Sequence, residues 1–365
     1  MNANDPSWTP LVDAASLAAM LRADAPRVVD ARAMASTAVR VVDTRFSLTD
    51  AQAGAAQYAA GHIPGAVYAD LNQDLSDKNK TGHGRHPLPD SAAFAATLGR
   101  WGIGPDTQVV VYDAAEGSMA AARLWWLLRL MGHRQVAVLD GGFAAWQQAG
   151  LPVATAVVQP PALPPYPGQL DARQVASVDE VAMRLKHASG WLVDARATGR
   201  FRREVEPLDP VAGHVPGAVN RPFGLNVVDG RMRPADELRA ELQQVIGAHD
   251  AAQVVLMCGS GVTACHLLLA MESAGLHGAR IYADSWSGWI SDGRRPAASG
   301  GRAVRGGEQA RHALRHGVLQ RHGGLHLAPR KQRTGIAFAR HLDRGIVTGR
   351  DLLQVQLVVA HDVAQ

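Results

Sequence analysis

The residues best suited to chemistry lie in the stretch Cys258-Gly259-Ser260-Gly261-Val262-Thr263-Ala264. The four apolar residues 254–257 lead into the cysteine, and the apolar run 262–271 predicts a buried helix that begins at about Val262. The predicted order is therefore strand, loop and helix. In a parallel α/β sheet such a loop lies at the carboxyl end of a strand, where ligands usually bind.

This position makes Cys258 a candidate nucleophile. Backbone N–H groups at the start of a helix have no intrahelical acceptor, and with the helix dipole they stabilise a thiolate, which lowers a cysteine pKa from about 8.5 to roughly 3.5–7.5. A buried cysteine that only ends a strand is the alternative interpretation. The Gly259-Ser260-Gly261 sequence favours the nucleophile, because packing alone requires neither two flexible residues nor a hydroxyl group there.

The sequence blocks around this loop occur twice along the chain. Residues 61–67, Gly-His-Ile-Pro-Gly-Ala-Val, recur at 213–219 as Gly-His-Val-Pro-Gly-Ala-Val, and residues 41–45 and 109–113 match 192–196 and 254–258 in the same order. Ordered repetition of this kind indicates a tandem duplication. Residues 27–32 are nearly identical to 40–45, and the spacing of the repeat assigns the second segment to the strand and leaves 28–40 as a small local duplication.

Predicted strands alternate with predicted helices in each copy. In the first copy strands are predicted at 107–112 and 136–139, and helices after the capping residue Asp90, at 120–131 and at 143–148. This alternation predicts an α/β fold in which each copy is a mainly parallel sheet with helices on both faces. The proline-rich residues 154–169 are predicted to link a domain at 8–153 to a second domain at 170–298.

The composition is that of a globular chain of 365 residues, 47% hydrophobic and 19% charged. No apolar run approaches the roughly 20 residues that span a membrane, and the first residues lack the pattern of a signal peptide, so a cytoplasmic protein without a membrane partner is predicted. Cys258 and Cys265 are seven residues apart, which would be about 10 Å of rise if both lay on the same helix. That separation is too long for a disulfide, and two cysteines are too few for a zinc framework, so neither a metal nor a cofactor is predicted.

Positive charge is concentrated at the carboxyl end of the chain. Ten arginines and Lys331 face four carboxylates in residues 301–365, so this stretch carries +7 and the rest of the chain −3. Residues 299–365 have weak apolar periodicity, which predicts a disordered basic tail. The globular part gives no reason to expect nucleic-acid binding. A basic arm for nucleic acid or membrane, or an extension without function, is the alternative for the tail.

Residues 8–298 resemble a two-domain sulfurtransferase of the rhodanese superfamily. The resemblance rests on Val193-Asp194-Ala195-Arg196, the two Gly-His-x-Pro-Gly-Ala blocks, the loop at 258–264 and Ser285-Trp286-Ser287-Gly288-Trp289. It implies one active cysteine, in the second copy, and a catalytically silent first copy. Asp113 fits this pattern, because it occupies the position equivalent to Cys258 and a carboxylate cannot carry sulfane sulfur.

The resemblance implies a two-step reaction. Cys258 takes sulfur from a small donor, becomes a persulfide and passes the sulfur to cyanide or to a thiol such as that of thioredoxin. Loop amides aimed at the outer sulfur would stabilise both sulfur anions. The implied catalytic residues are Cys258 and Ser260, and the implied substrate-binding residues are Gly259, Gly261, Val262, Thr263, Arg200 and His62.

The loop also suggests the donor. The uncharged Gly259-Ser260-Gly261 resembles the loop of superfamily members that use 3-mercaptopyruvate, whereas those that prefer thiosulfate carry arginine and lysine there. This implies that Ser260 assists proton movement at the donor carbonyl and that Arg200 holds the donor carboxylate. Asp209 stands where a second carboxylate-binding arginine is expected, so thiosulfate stays open as the donor. Asp284 replaces an expected glycine, and we expect strain or a left-handed backbone there.

Other residues near the motifs have more than one interpretation. His62 and His214 occupy equivalent positions in the active and silent copies, which indicates a structural role, but His62 is also a candidate for the cleft between the copies. Asp50 is a candidate proton relay to Ser260. Cys265 is predicted to be an inert residue inside a helix.

Two rival functions were weighed against sulfur transfer. A cysteine phosphatase needs an arginine six positions after its cysteine to clamp phosphate, and Ala264 stands there, which excludes this class. A carrier that holds persulfide for a partner without turning over small donors remains open, although Ser260 and Arg200 favour turnover.

Overall fold

The computed structural model describes residues 9–24, 39–114, 117, 119–187 and 189–300. Within them the strands are β1 (Leu11–Val12), β2 (Val39–Asp43), β3 (Val67–Tyr68), β4 (Gln108–Tyr112), β5 (Val136–Leu139), β6 (Leu192–Asp194), β7 (Val219–Asn220), β8 (Val227–Val228), β9 (Arg231–Met232), β10 (Val255–Met257) and β11 (Arg280–Ile281). The helices are α1 (Ala14–Asp24), α2 (Ala53–Ala60), α3 (Ser91–Arg100), α4 (Ala120–Leu130), α5 (Gly142–Gln148), α6 (Val178–Met183), α7 (Thr198–Arg202), α8 (Ala235–Ile246), α9 (Thr263–Ser273) and α10 (Ser285–Trp289). The predicted basic tail beyond residue 300 and most of the local duplication at 28–40 lie outside the described residues.

Two parallel sheets form the framework. The first has the strand order β1-β5-β4-β2-β3 and the second β11-β10-β6-β7, and β8 and β9 form a separate antiparallel pair. The order β5-β4-β2-β3 matches β11-β10-β6-β7 strand for strand, and Val175, which bridges Ile281 in parallel, takes the place of β1 in the second sheet. The predicted tandem α/β fold is confirmed, and the second of the two near-identical segments forms β2.

Helices cover both faces of each sheet because successive residues of a strand point to opposite sides. Val109 and Val111 of β4 pack into the same buried cluster as α3 and α4, whereas Val110 packs with α1, α2 and α5. In the second sheet, Leu256 of β10 packs with α8 and α9, whereas Val255 packs with α6, α7 and α10. Strands that are buried on both faces explain the continuous apolar runs in the sequence.

The inner faces of the two halves share one hydrophobic core. Helix α4 packs against α9, and the inward residues of both sheets belong to the same buried cluster. Leu124 of α4 and Leu267 of α9 are fully buried, and burying one such side chain contributes roughly 1.5–3 kcal/mol. The described residues therefore belong to one compact unit, in which the two copies are held by core packing.

Local predictions agree with the structure to within about one residue at most boundaries. Asp90 caps α3 by accepting hydrogen bonds from the amides of Ala92 (2.9 Å) and Ala93 (3.2 Å). Residues 120–131 were predicted as a helix and form α4 as far as Leu130. Among the described helices none has the length and apolar character needed to cross a membrane.

A buried ion pair follows the equivalent strand in each half. Arg45 lies 2.6 Å from Asp43 and donates to the carbonyl oxygen of Gly61, and Arg196 lies 2.7 Å from Asp194 and donates to the carbonyl oxygen of Gly213. Each arginine thus ties a strand end to the Gly-His-x-Pro-Gly-Ala block of its own half. This contact explains why the two motifs recur together.

We expect Asp43→Asn to lower the free energy of unfolding by about 3 kcal/mol, because it leaves the buried Arg45 guanidinium without its counter-charge. Urea titration followed by circular dichroism measures this change. Asp50→Asn is the control, because Asp50 is exposed, and its effect should stay within about 0.5 kcal/mol. Equal midpoints for the two variants would contradict the role given to the ion pair.

Candidate active site

The loop between β10 and α9 holds Cys258 in a protected position. The side chain of Cys258 is 2% exposed, and its Sγ accepts a hydrogen bond from the amide of Gly261 at 3.1 Å. Gly261 has a φ of +74°, and a Cβ there would lie 2.2 Å from the carbonyl oxygen of Ala283. Only glycine fits both the backbone angle and the space, so Gly261 determines the shape of the loop.

The turn after β11 anchors this loop from below. The Cys258 amide donates to Ser285 Oγ (3.0 Å), and the Cys258 carbonyl accepts from the amide of Trp286 (3.0 Å). The Gly259 carbonyl accepts from the amide of Ser287 at 2.9 Å. The backbone of Cys258 and Gly259 is therefore fixed by three hydrogen bonds to one neighbouring turn.

The expectation for Asp284 is wrong. Its φ is −68°, an ordinary right-handed value, and the left-handed residue is Ser285, with a φ of +52°. The Asp284 carboxylate lies 3.0 Å from His83 Nδ1, in the other half of the molecule. The turn thus accommodates an aspartate because the unusual backbone angle falls one residue later.

The loop forms one wall of a cleft between the two halves. The cleft holds about 370 Å³ of empty space, part of it open to solvent. Six of the predicted site residues line it, namely Cys258, Gly259, Ser260, Val262, Thr263 and Arg200. The amino-terminal half lines the opposite wall with Phe46, Leu48, Leu71, Arg85, His86 and Met119.

His62 does not join this group. It is fully buried, its ring stacks on Tyr58 at 4.0 Å, and its two ring nitrogens lie 2.8 Å and 3.3 Å from the carbonyl oxygens of Tyr58 and Ala156. His214 in the second half stacks on Phe201 in the same way. The structure therefore gives His62 a packing position and does not place it against a donor in the cleft.

Ser260 has a partner that the sequence motifs did not indicate. Its Oγ lies 2.8 Å from Nδ1 of His86, and both side chains are buried. Asp50, the weaker candidate for a proton relay, is exposed and accepts a hydrogen bond from the amide of Gln52. Burial lowers the pKa of His86 to about 3, and the nearby cations Lys78, Arg123 and Arg85 add to this effect. His86 is therefore a neutral imidazole near pH 7.

Arg200 is joined in the cleft by a second arginine from the other half. Asp209 accepts from Arg200 Nη2 at 2.8 Å and pairs with Arg85 through its other oxygen. A Cβ at Gly259 would lie 3.2 Å from Arg85 Nη2 and 3.4 Å from Arg200 Nη1, so both guanidinium groups border the loop. Asp209 thus replaces the expected arginine in sequence and holds a different arginine nearby in space.

A comparison of the two copies contains the signal for these missed residues. Gly84-Arg85-His86 corresponds to Gly230-Arg231-Met232. Each segment reaches across to the other half: the Arg85 amide donates to Ser287 Oγ at 2.9 Å, and the Met232 amide donates to Asp140 at 2.8 Å. The copies differ at His86 and at Cys258, which are the positions that face each other across the active cleft.

Asp113 of the first half is anchored as Cys258 is. The Asp113 carbonyl accepts from the amide of Phe143 at 2.9 Å, as that of Cys258 accepts from Trp286. The Asp113 carboxylate accepts hydrogen bonds from the amides of Gly117 (2.9 Å) and Met119 (3.1 Å). The loop amides are thus satisfied by a side chain of the loop itself.

Cys265 lies on the buried side of α9. Its Sγ donates to the carbonyl oxygen of Gly261 at 3.2 Å, and burial raises the pKa of this thiol to about 12. It stays protonated near pH 7, in keeping with the predicted inert role. Within the described ranges no group of three or more His, Cys, Asp or Glu side chains is arranged to hold a metal ion.

Comparisons with known proteins agree with this geometry. The rhodanese-like domain model matches residues 13–149 and 177–292. A Pseudomonas aeruginosa protein with the name probable 3-mercaptopyruvate sulfurtransferase is 46% identical over 265 residues, which cover 71% of this chain and 92% of that protein. The thiosulfate sulfurtransferase of Cricetulus griseus is 36% identical over 262 residues, which cover 69% of this chain and 85% of that protein.

The fold comparison gives the same answer. The structure of 3-mercaptopyruvate sulfurtransferase from Leishmania major matches with a TM-score of 0.66 and 31% identity, covering 78% of this chain and 75% of that one. Together with these relatives, the fold of two rhodanese-like domains makes this protein a sulfurtransferase. The chain belongs to the rhodanese superfamily.

We expect Gly261→Ala to lower kcat/KM for sulfur transfer by about a hundredfold, because the added Cβ forces the Cys258 loop away from Ala283. The strained φ adds about 1–2 kcal/mol of destabilisation. Gly224→Ala is the matched control, because a Cβ at Gly224 meets nothing within 4 Å. Steady-state kinetics and urea unfolding check both variants, and a Gly261→Ala enzyme with wild-type activity would contradict the stated constraint.

The low pKa of His86 predicts how the free energy of unfolding depends on pH. Between about pH 6.5 and pH 3 the unfolded chain protonates this histidine and the folded protein does not, so stability falls on acidification by up to about 1.4 kcal/mol per pH unit. His86→Asn should therefore lose about 1–2 kcal/mol less than the wild type between pH 7 and pH 5. Urea midpoints at the two pH values measure the difference. An unchanged slope in His86→Asn would refute the assignment.

Proposed function

We propose that this sulfurtransferase takes sulfur from 3-mercaptopyruvate and passes it to cyanide or a thiol through a persulfide on Cys258. The observation that carries the donor assignment is the 2.8 Å hydrogen bond between Ser260 Oγ and His86 Nδ1 in the cleft beside Cys258. Thiosulfate releases sulfite without moving a proton to carbon, whereas pyruvate forms from 3-mercaptopyruvate only when its carbon receives a proton. A buried pair of hydroxyl and imidazole groups, which can move that proton, therefore favours 3-mercaptopyruvate as the donor.

The first step balances with these groups. The Cys258 thiolate attacks the donor sulfur, an S–S bond forms, and the C–S bond breaks with its electron pair staying on the carbon fragment as the enolate of pyruvate. The proton of the donor thiol moves through Ser260 and His86 to the enolate carbon and completes pyruvate. Neutral His86 has one donor and one acceptor nitrogen, so it can pass a proton on without keeping a charge.

Arg85 and Arg200 are the groups that hold the donor carboxylate. Both border Gly259, and Asp209 bridges them, which orients their remaining nitrogens. Arg200 also donates to Glu206 at 3.0 Å. Two guanidinium groups and two carboxylates leave this part of the cleft close to neutral, which suits a monoanion such as 3-mercaptopyruvate better than the dianion thiosulfate.

The second step returns Cys258 to its thiolate. An incoming thiolate or cyanide attacks the outer sulfur, the S–S bond breaks, and its electron pair stays on the Cys258 sulfur. We place the reaction in the cytoplasm, with a small thiol or thioredoxin as the acceptor. The support for this is that both cysteines are free thiols, which a reducing compartment maintains.

Thiosulfate is the second candidate donor, since a relative of 36% identity carries the name thiosulfate sulfurtransferase. Its sulfonate oxygens would bind the same two arginines. A persulfide carrier without turnover is the third candidate, because Cys258 itself suffices for that role. Kinetics with both donors separate all three.

We expect the wild type to transfer sulfur to cyanide with a higher kcat/KM from 3-mercaptopyruvate than from thiosulfate. Ser260→Ala should lower kcat/KM for 3-mercaptopyruvate by about a hundredfold, because the proton relay is broken. The same variant should keep thiosulfate transfer within about threefold, because that reaction moves no proton to carbon. Steady-state rates with the two donors provide the measurement.

Cys258→Ser is the zero-activity control, and Cys265→Ser should retain activity with the preferred donor. Equal losses for both donors in Ser260→Ala would assign Ser260 to loop structure alone. A wild-type preference for thiosulfate would make the enzyme a rhodanese in the narrow sense. Absence of turnover with either donor would leave the persulfide carrier as the remaining candidate function.

A further inference from the structure

Arg123 on α4 is a buried arginine from the silent half that reaches the active loop. The side chain is fully buried. Its Nη1 donates to the carbonyl oxygen of Gly261 at 3.1 Å, and its Nη2 donates to the carbonyl oxygen of His86 at 3.2 Å. The third nitrogen, Nε, is buried and has no hydrogen-bond partner.

The two carbonyl groups belong to the residues that carry the chemistry. Gly261 presents its amide to Cys258 Sγ and its carbonyl to Arg123, so the guanidinium fixes the residue that donates to the sulfur. His86 presents its ring to Ser260 and its carbonyl to the same guanidinium. One side chain therefore joins the Cys258 loop and the His86 segment, which come from different halves.

Arg123 makes no direct ion pair with a carboxylate of the described residues. Its closest aromatic contact is Trp126, with the ring centre 5.2 Å from Cζ. Burial lowers the pKa of Arg123, and interaction with the sulfurs of Cys265 and Cys258 partly offsets this. Asp284 adds a smaller electrostatic attraction to this cation. Because Cys265 remains a thiol, a sulfur anion formed on Cys258 during transfer would lie beside the same cation.

We infer that Arg123 is a positioning residue for sulfur transfer: it holds the Cys258 loop and the His86 segment in register and provides a buried positive charge for the sulfur anion. The inference rests on the proposed persulfide chemistry at Cys258. A residue that only packed the interface would have no reason to be charged, because an uncharged side chain would fill the same volume without the cost of burying a cation.

Three variants on one helix test this inference. Arg123→Met removes the charge and the hydrogen bonds while it preserves apolar volume, and Arg123→Lys keeps the charge but not the planar fork that reaches both carbonyls. Arg129→Met is the matched control, since Arg129 also lies on α4 over a tryptophan, with Cζ 5.9 Å from the Trp125 ring centre. The full-length protein is used throughout.

The first readout is the rate of Cys258 alkylation by iodoacetamide from pH 5 to pH 10, with peptide mass spectrometry to separate Cys258 from Cys265. We expect the midpoint for Arg123→Met to rise by about one pH unit, and those for Arg123→Lys and Arg129→Met to stay within about 0.3 pH unit. The other charged groups around the cleft are unchanged in every variant. They are Lys78, Arg85, His86, Arg196, Arg200, Glu206, Asp209 and Asp284.

The second readout is steady-state transfer from 3-mercaptopyruvate to cyanide. We expect kcat to fall by about a hundredfold in Arg123→Met and about tenfold in Arg123→Lys, with the KM of the donor within about threefold of the wild type in both. The donor is held by other groups, so its KM should not follow kcat. Arg129→Met should retain wild-type kcat.

A wild-type alkylation midpoint and wild-type kcat in folded Arg123→Met would overturn the inference. If that variant does not fold, Arg123→Lys decides alone, and a kcat within twofold of the wild type would then overturn the positioning role. Failure of the proposed function is a separate outcome: it appears as absence of transfer by the wild-type enzyme, while the alkylation midpoint still tests the charge.

Discussion

The packing of α4 against α9 is the contact on which the rest of the site depends, because it buries Cys258 and joins the two halves. The shared core of the two halves covers the cysteine, which is 2% exposed. The same contact places the Arg123 guanidinium against the loop that starts α9. The amide of Gly261 donates to the buried sulfur, so the loop supplies a hydrogen bond in place of water.

The two copies anchor equivalent loops in the same way but differ in the side chains at Asp113 and Cys258. The loops at Asp113 and Cys258 are held by equivalent hydrogen bonds to the turn that follows the neighbouring strand, β5 or β11. In the first half the Asp113 carboxylate occupies the loop amides, and Met232 approaches from the other half. In the second half a sulfur and an imidazole stand at the corresponding positions. Catalytic specialisation therefore required few changes of side chain and no change of fold.

The elements could be predicted from sequence because their signals are local. Apolar runs, capping residues and glycines determine α4, α9 and the loop at Cys258 within stretches of about ten residues. Arg200 and Ser260 could be predicted for the same reason, since each belongs to a contiguous sequence motif. Asp284 was misjudged because the tolerance of a turn depends on which residue takes the positive φ, and that residue is Ser285.

The missed residues are those that act across the interface. His86 lies 174 residues before the hydroxyl it contacts, and Arg85 lies 124 residues before Asp209. Local sequence periodicity cannot predict contacts between residues so far apart. Asp209 stands where an arginine is expected, and the arginine that it binds, Arg85, belongs to the other copy. Only an alignment of the two copies, which pairs Gly84-Arg85-His86 with Gly230-Arg231-Met232, points to Arg85 and His86 as site residues.

These long-range contacts explain why an active half remains joined to a half without a cysteine. The first half contributes the imidazole beside Ser260, one of the two arginines at Gly259, and the guanidinium behind Gly261. A single second domain would keep its cysteine and loop but would lose these groups and the apolar cover of α4. The interface is thus part of the cleft beside Cys258, because residues of both halves line it.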